Sequence, residues 1–232
     1  MYGYEVDIFE AKAKPSGLTV YGVAPYKITN KAALGEMAYL QKQLEFNVRY
    51  NSQVKSGKDL QKLEKNYHAI FIGIGLGPTS RIDIPGDDLE NCIGAVEFIE
   101  QLRTVHHKVK VGKKVIVLGG GNTAMDAASE SARMGAEKVI LAYRRSMDEM
   151  GAYAFEYDLA KIVGAKGMFN VTPVEIVGNK KVEGVKFIRN RSAYGKIEKV
   201  KGSGFVEECD MVILATGQSK QVGFLEQIPN ME

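Results

Sequence analysis

The sequence predicts an α/β protein built on a parallel sheet, with a small three-stranded antiparallel meander attached. Three observations carry this. Short apolar runs such as "KVIVL", "KVILAY" and "DMVILATG" alternate with stretches of helical period, the pattern of strand–helix–strand units. One of these runs, "KVIVL", leads through three glycines directly into a helix-like segment, "NTAMDAASESARMG". Beyond residue 167 the apolar period changes from helical to two-fold, and Gly178-Asn179 interrupts it as a hairpin signal.

The elements follow in order. "YEVDIFEA" alternates as a strand and stops at Glu10, and "KPSGLTVYGVAPYKI" is a loop rich in Gly and Pro. "TNKAALGEMAYLQKQLEF" reads as a helix capped by Thr29 or Asn30, with Ala33, Met37, Leu40 and Leu44 along one face. "NVRYNSQV" is a short strand and "DLQKLEKNY" a short helical segment. "HAIFIGIGLG" has the composition of a buried parallel strand and echoes "DMVILATG". Residues 78–92 read as loop, "GAVEFIEQLRTV" as helix and "HHKVKVGKK" as a polar lead-in. After the glycine segment, "MDEMGAYAFEYDLAKIVGA" reads as a further helix. "MFNVTPVEIVGNKKVEGVKFIRNRS" supplies two strands, and "GFVEECDMVILATG" a third followed by a buried one.

Bulk properties exclude several classes. With a net charge of +3 over 232 residues and bases interleaved with acids, nothing favours nucleic acid or a membrane surface. No apolar run approaches the roughly 20 residues needed to span a bilayer. The N-terminal "MYGYEVDIFEA" lacks the basic start of a signal peptide. Cys92 and Cys209 are far apart in the sequence, which argues against a disulfide framework and for a reducing, cytoplasmic setting; both read as small buried hydrophobes. His68, His106 and His107 are scattered and suggest no metal site, and no side chain presents itself as an acid, base or nucleophile for catalysis.

Gly119, Gly121 and Ala124 fit the pattern G-x-G-x-x-G/A in the right context, after a strand and before a helix. The first glycine permits the tight turn, the second lets backbone approach a pyrophosphate, and the third position lets helix and strand pack closely. The helix then offers free N–H groups and its positive end to phosphate. At the end of "KVILAY", where an acidic residue would accept from the ribose of NAD, stand Tyr143, Arg144 and Arg145. Two guanidinium groups suit a 2′-phosphate, so the expected nucleotide is NADP(H).

"VIVLGGGNTAMDAA", "GAEKVILAYRR" and "VILATGQ" resemble the small subunit of bacterial glutamate synthase and its relatives. "GLTVYGVAPYK", "IPG" and "FIEQLR" resemble the dihydropyrimidine dehydrogenase branch of that flavoprotein family. The resemblance covers essentially the whole chain. It implies a Rossmann-like NADP-binding domain inserted in an FAD-binding domain, and NADPH-dependent oxidoreductase activity. Hydride would pass to FAD and on to an iron–sulfur or other acceptor on a partner subunit or domain. By the same resemblance Gly119, Gly120, Gly121, Asn122, Thr123 and Ala124 would cradle the NADPH phosphates and Arg144 and Arg145 the 2′-phosphate. Gly217 and Gln218 would lie at the boundary of the two cofactor sites. Glu10, Val54, Gly73 and Gly75 would line the adenosine side of FAD.

The implied domains are a partial FAD-binding domain over residues 1–95, an NADP(H)-binding domain over 96–213 and a return into the FAD domain over 214–232. The family's first FAD strand, its GxGxxG and its closing Gly-Asp segment have no counterpart in these residues. FAD is therefore expected to be held weakly or not at all, and a non-catalytic NADP(H)-binding module stands as the alternative. An NAD-specific enzyme of the same fold is a third reading.

Overall fold

The computed structural model describes residues 3–193, 196–221, 223 and 226–228. The chain divides into two compact units, one comprising Met1–Gly77 and Gln218–Glu232, the other Pro78–Gly217.

In the first unit β1 (Asp7–Phe9) is followed by the short helix α1 (Leu18–Tyr21), α2 (Asn30–Leu44), β2 (Asn47–Arg49) and α3 (Gly57–Glu64). β1 and β2 form a two-stranded parallel sheet with Ile8 opposite Val48. Thr29, rather than Asn30, caps α2: its hydroxyl accepts from the Ala32 N–H at 3.2 Å. Ser56 caps α3 and donates to the Asp59 carboxylate at 2.9 Å. Asp7 accepts from the Tyr67 hydroxyl and from Arg49 Nη2 at 2.8 Å. The Tyr67 hydroxyl above all holds the Asp7 carboxyl below its ordinary range, and the same bond raises the Tyr67 phenol.

Two expectations fail in this unit. "HAIFIGIGLG" belongs to no strand, and Phe71 is 95% exposed. α2 forms as expected, but Leu40 and Leu44 on its apolar face are exposed while Ala33 is buried. Both have the same physical reason: no described element of the unit covers them. Among its described residues the buried apolar side chains are Val20, Ala24, Ala33 and Leu60.

The second unit runs through β3 (Cys92–Gly94), α4 (Ala95–Val105), β4 (Lys114–Leu118), α5 (Asn122–Arg133), β5 (Lys138–Tyr143), α6 (Ala154–Ile162) and β6 (Ala165–Phe169). It continues through β7 (Val171–Gly178), β8 (Val182–Ala193), β9 (Lys196–Lys199), β10 (Phe205–Glu208) and β11 (Met211–Leu214). Five strands make an all-parallel sheet in the order β3-β11-β4-β5-β6. The antiparallel meander has the order β10-β8-β7, with β9 paired to β8.

The two-fold period of the parallel strands divides their side chains between two cores. Ile116, Leu118, Ile140, Ala142, Val212 and Leu214 pack against Val171, Ile176, Val182, Val185 and Phe187 of the meander. The alternate residues Val115, Val117, Val139, Leu141 and Ile213 are buried on the opposite face, where α4 and α5 pack. Helices, parallel sheet and meander thus form three layers. Cys92 and Cys209 are free thiols within the meander-side core, and burial pushes them up to about 11 and about 12.

Residues 78–95 belong to this second unit, not with residues 1–77, because β3 pairs with β11 and α4 packs on the same sheet. The helix expected from Met147 is shorter than its sequence pattern. Met147–Glu149 is a 3-10 turn closed by a Ser146–Glu149 capping box, and α6 starts only at Ala154.

Candidate dinucleotide site

β4 is the point where the chain changes direction across the sheet. From it the chain moves through β5 to β6 on one side, while β11, much later in sequence, flanks it on the other. Ligands of open α/β sheets bind outside the carboxyl ends of the strands at such a point. The glycine turn leaves β4 there.

The three glycines differ in what requires them. A Cβ on Gly119 would collide with the Ala215 carbonyl just after β11, so close approach of two backbones demands glycine. A Cβ on Gly120 would lie 2.6 Å from the Tyr143 ring, so this glycine makes room for the end of β5. Gly121 is different. Its backbone is extended, with φ −100° and ψ 176°, and a Cβ there would meet nothing within 4 Å. Neither conformation nor packing within the chain explains a glycine at 121; the space its missing side chain leaves is open.

That space faces the start of α5. Gly121 is the N-cap and supplies no side-chain bond to the first turn, so the N–H groups of Asn122 and Thr123 have no side-chain acceptor among the described residues. Asn122 is turned elsewhere: its Oδ1 accepts from the Tyr153 N–H at 3.0 Å, and the Gly120 carbonyl accepts from the Ala152 N–H at 3.0 Å. These two bonds fasten the 146–153 loop beside the turn. Thr123 is exposed, and Ala124 is fully buried where α5 meets the sheet.

The Arg144–Arg145 corner follows β5 on the same edge of the sheet. Gly119 N–H donates to the Ala142 carbonyl at 3.0 Å, and the Tyr143 ring packs on Gly120 while its hydroxyl donates to the Glu149 carbonyl at 3.0 Å. Glycine turn and arginine corner are therefore one constellation. Arg144 is exposed and Arg145 half-buried, and neither forms an ion pair with a described residue. Ser146, which donates from both hydroxyl and backbone, holds the Glu149 carboxyl below its ordinary range, and the Arg145 charge adds to this.

The other expected residues lie elsewhere. Gly217 accepts from the Ser80 N–H at 2.9 Å two residues beyond Ala215. Gln218 falls in the first unit, where its Nε2 donates to the Gly77 carbonyl at 3.0 Å. Glu10 follows β1, and its Oε1 accepts from the Lys12 N–H at 2.8 Å. Val54 is half-buried in a loop. Gly73 and Gly75 are exposed, in the run that joins no sheet. Two further contributors have no local sequence signal: the Tyr153 backbone, and Asn190 on β8, whose amide reaches Arg144. Among the described residues no group of three His, Cys, Asp or Glu side chains is placed to hold a metal ion.

A parallel sheet with a glycine turn at its switch point and an uncapped helix start beyond it defines a Rossmann-like α/β unit. The family model for pyridine nucleotide-disulphide oxidoreductases matches residues 4–230, and the chain belongs to that family. It is 34% identical over 233 residues to the beta subunit of the NADP(+)-dependent formate dehydrogenase of Moorella thermoacetica, covering 97% of this chain and 33% of that one. It is 31% identical over 233 residues to the glutamate synthase [NADPH] small chain of Escherichia coli K12, covering 93% of this chain and 49% of that one. The chain thus spans between a third and a half of the length of these relatives. In three dimensions it is similar to FprA of Mycobacterium tuberculosis in complex with NADPH, with a TM-score of 0.76 and 21% identity over 92% of this chain and 64% of that one. This last likeness shows the shared fold.

Proposed function

We propose that this chain is the NADPH-binding portion of an FAD-dependent oxidoreductase, with residues 119–124 holding the pyrophosphate and Arg144 and Arg145 the 2′-phosphate. The observation that carries this is Gly121, a glycine that no contact among the described residues requires, set at a helix N-terminus without a side-chain cap beside two arginines that form no ion pair with a described residue. An anionic dinucleotide would use all three features. The names of the relatives, an NADP-dependent formate dehydrogenase subunit and an NADPH glutamate synthase chain, support the same nucleotide. In the whole protein, hydride would pass from NADPH to FAD and on to an iron–sulfur or other acceptor on a partner subunit, in the reducing cytoplasm. That chemistry belongs to the cofactors; the residues of this chain bind and orient them. On this reading Pro78–Gly217 is the NADP(H)-binding domain, and the first unit with its return segment is part of the FAD domain.

The residues assigned to flavin all lie in the first unit. Glu10 is engaged by its own loop, and Gly73 and Gly75 lie in an exposed run outside any sheet. This favours a second reading for the chain on its own, an NADP(H)-binding module without bound flavin. Titration with NADPH and NADH tests the first reading. Arg144→Ala should weaken NADPH by about 10- to 100-fold, the worth of one charge-assisted hydrogen bond, and spare NADH. Equal losses would refute the 2′-phosphate role. A stoichiometric flavin spectrum in the purified chain would refute the second.

A further inference from the structure

Asn190 is a buried amide in the middle of a strand. It sits on β8, and its Nδ2 donates to the Arg144 carbonyl at 2.8 Å and to Thr172 Oγ1 at 2.8 Å. Its backbone N–H donates to the Asn170 carbonyl at 2.7 Å, and the Asn170 N–H donates to the Arg145 carbonyl at 3.0 Å. The carbonyls of both arginines are therefore tied, directly or through one residue, to the same position on the meander. Asn170 adopts a left-handed conformation, φ 56°, to make its link.

The Asn190 amide is only half satisfied by hydrogen bonds. Its Oδ1 is buried and accepts no hydrogen bond among the described residues. A buried amide oxygen without a donor costs free energy, and Asn is a poor strand former. What the side chain contributes is its NH2 group, which fixes the peptide from which the Arg144 side chain departs. An arginine whose backbone is held surrenders less freedom when its guanidinium closes on a ligand, so the tie favours whichever nucleotide Arg144 contacts.

We infer that Asn190 is a positioning residue that sets the preference for NADPH over NADH by holding the Arg144–Arg145 corner. This rests on the 2′-phosphate reading of that corner. The test uses the full chain and titrations with NADPH and NADH against wild type, Asn190→Ala, Arg144→Ala and the double variant. Asn190→Ala should weaken NADPH by roughly 3- to 10-fold, the worth of one neutral hydrogen bond, and leave NADH within about 2-fold. In the Arg144→Ala background it should add less than about 2-fold, because the two residues act through one contact. Equal loss for both nucleotides, or full additivity with Arg144→Ala, would show a merely structural role and overturn the inference. If Arg144→Ala is itself unselective, the 2′-phosphate reading falls and takes the inference with it, a result distinguishable from failure at Asn190 alone. Should Asn190→Ala not fold, Asn190→Thr keeps a strand former of similar size without the NH2 group, and the same outcomes decide.

Discussion

Two runs of this chain are near twins in sequence and opposites in structure. "HAIFIGIG" and "DMVILATG" are both apolar, rich in β-branched residues and closed by glycine. Met211–Leu214 of the second is β11, paired with β3 on one side and β4 on the other and buried throughout. Residues 69–76 of the first form no strand, and Ile70, Phe71, Ile74 and Leu76 are exposed. Composition sets what a run is able to bury; the neighbours on its two edges and two faces decide whether it does. β11 has parallel strands on both edges, helices on one face and the meander on the other. No described strand pairs with residues 69–76.

The same contrast explains what was legible in the sequence. Strand, glycine turn and helix from Lys114 to Arg133 could be read directly because each local signal agrees with the next. The arginine corner could be read because β5 ends there by the same logic. The strand β3 is illegible because Cys92–Gly94 follows directly on Pro, Gly, Asp and Asn residues whose composition signals a loop. Residues 147–153 read as helix because their composition allows it, yet the Ser146–Glu149 box closes a tight turn and Gly120 and Asn122 bind the backbone that follows. Asn190 was illegible for a deeper reason: its partner Arg144 is 46 residues away, and no local pattern encodes a bond over that distance.

The largest test of the comparison is to cut the same side chain from each twin. Ile213→Ala empties a fully buried site and should cost about 2–5 kcal/mol in denaturant unfolding. Ile74→Ala, at an exposed position, should change stability by less than about 0.5 kcal/mol. Similar losses at both sites would break the contrast. Gly121→Val sharpens it within the ordered unit. The side chain meets nothing among the described residues, so stability should fall only by the loss of an N-cap glycine, about 1 kcal/mol, while NADPH affinity should fall by about 100-fold, one to two charge-assisted hydrogen bonds. An unchanged NADPH affinity would mean that the glycine serves the helix cap and not a ligand.

A smaller effect comes from the two core thiols. Burial raises Cys92 to about 11 and Cys209 to about 12, above their ordinary value of 9.0. The unfolded chain releases these protons first, so their contribution to stability is complete below pH 9 and is lost as pH rises towards 11 and 12. Alkaline unfolding should therefore be less steep in Cys209→Ala than in wild type. Identical slopes would show that the thiol is not desolvated.

The smallest expected change in stability, and the most direct reading of the exposed twin, is Phe71→Lys. An exposed apolar run that pairs with no described strand is able to pair with another chain. A lysine there places charge where the ring already stands in solvent, so it removes no packing and should leave the unfolding midpoint in place. It should raise the concentration at which the chain begins to aggregate, measured by light scattering, because charge within an exposed apolar run opposes its pairing with another chain. The matching substitution at the buried twin, Ile213→Lys, would place an ammonium between the parallel sheet and its helices and should abolish folding. If Phe71→Lys instead lowers the unfolding midpoint, the ring is packed in solution, and the two runs differ by less than their surroundings here require.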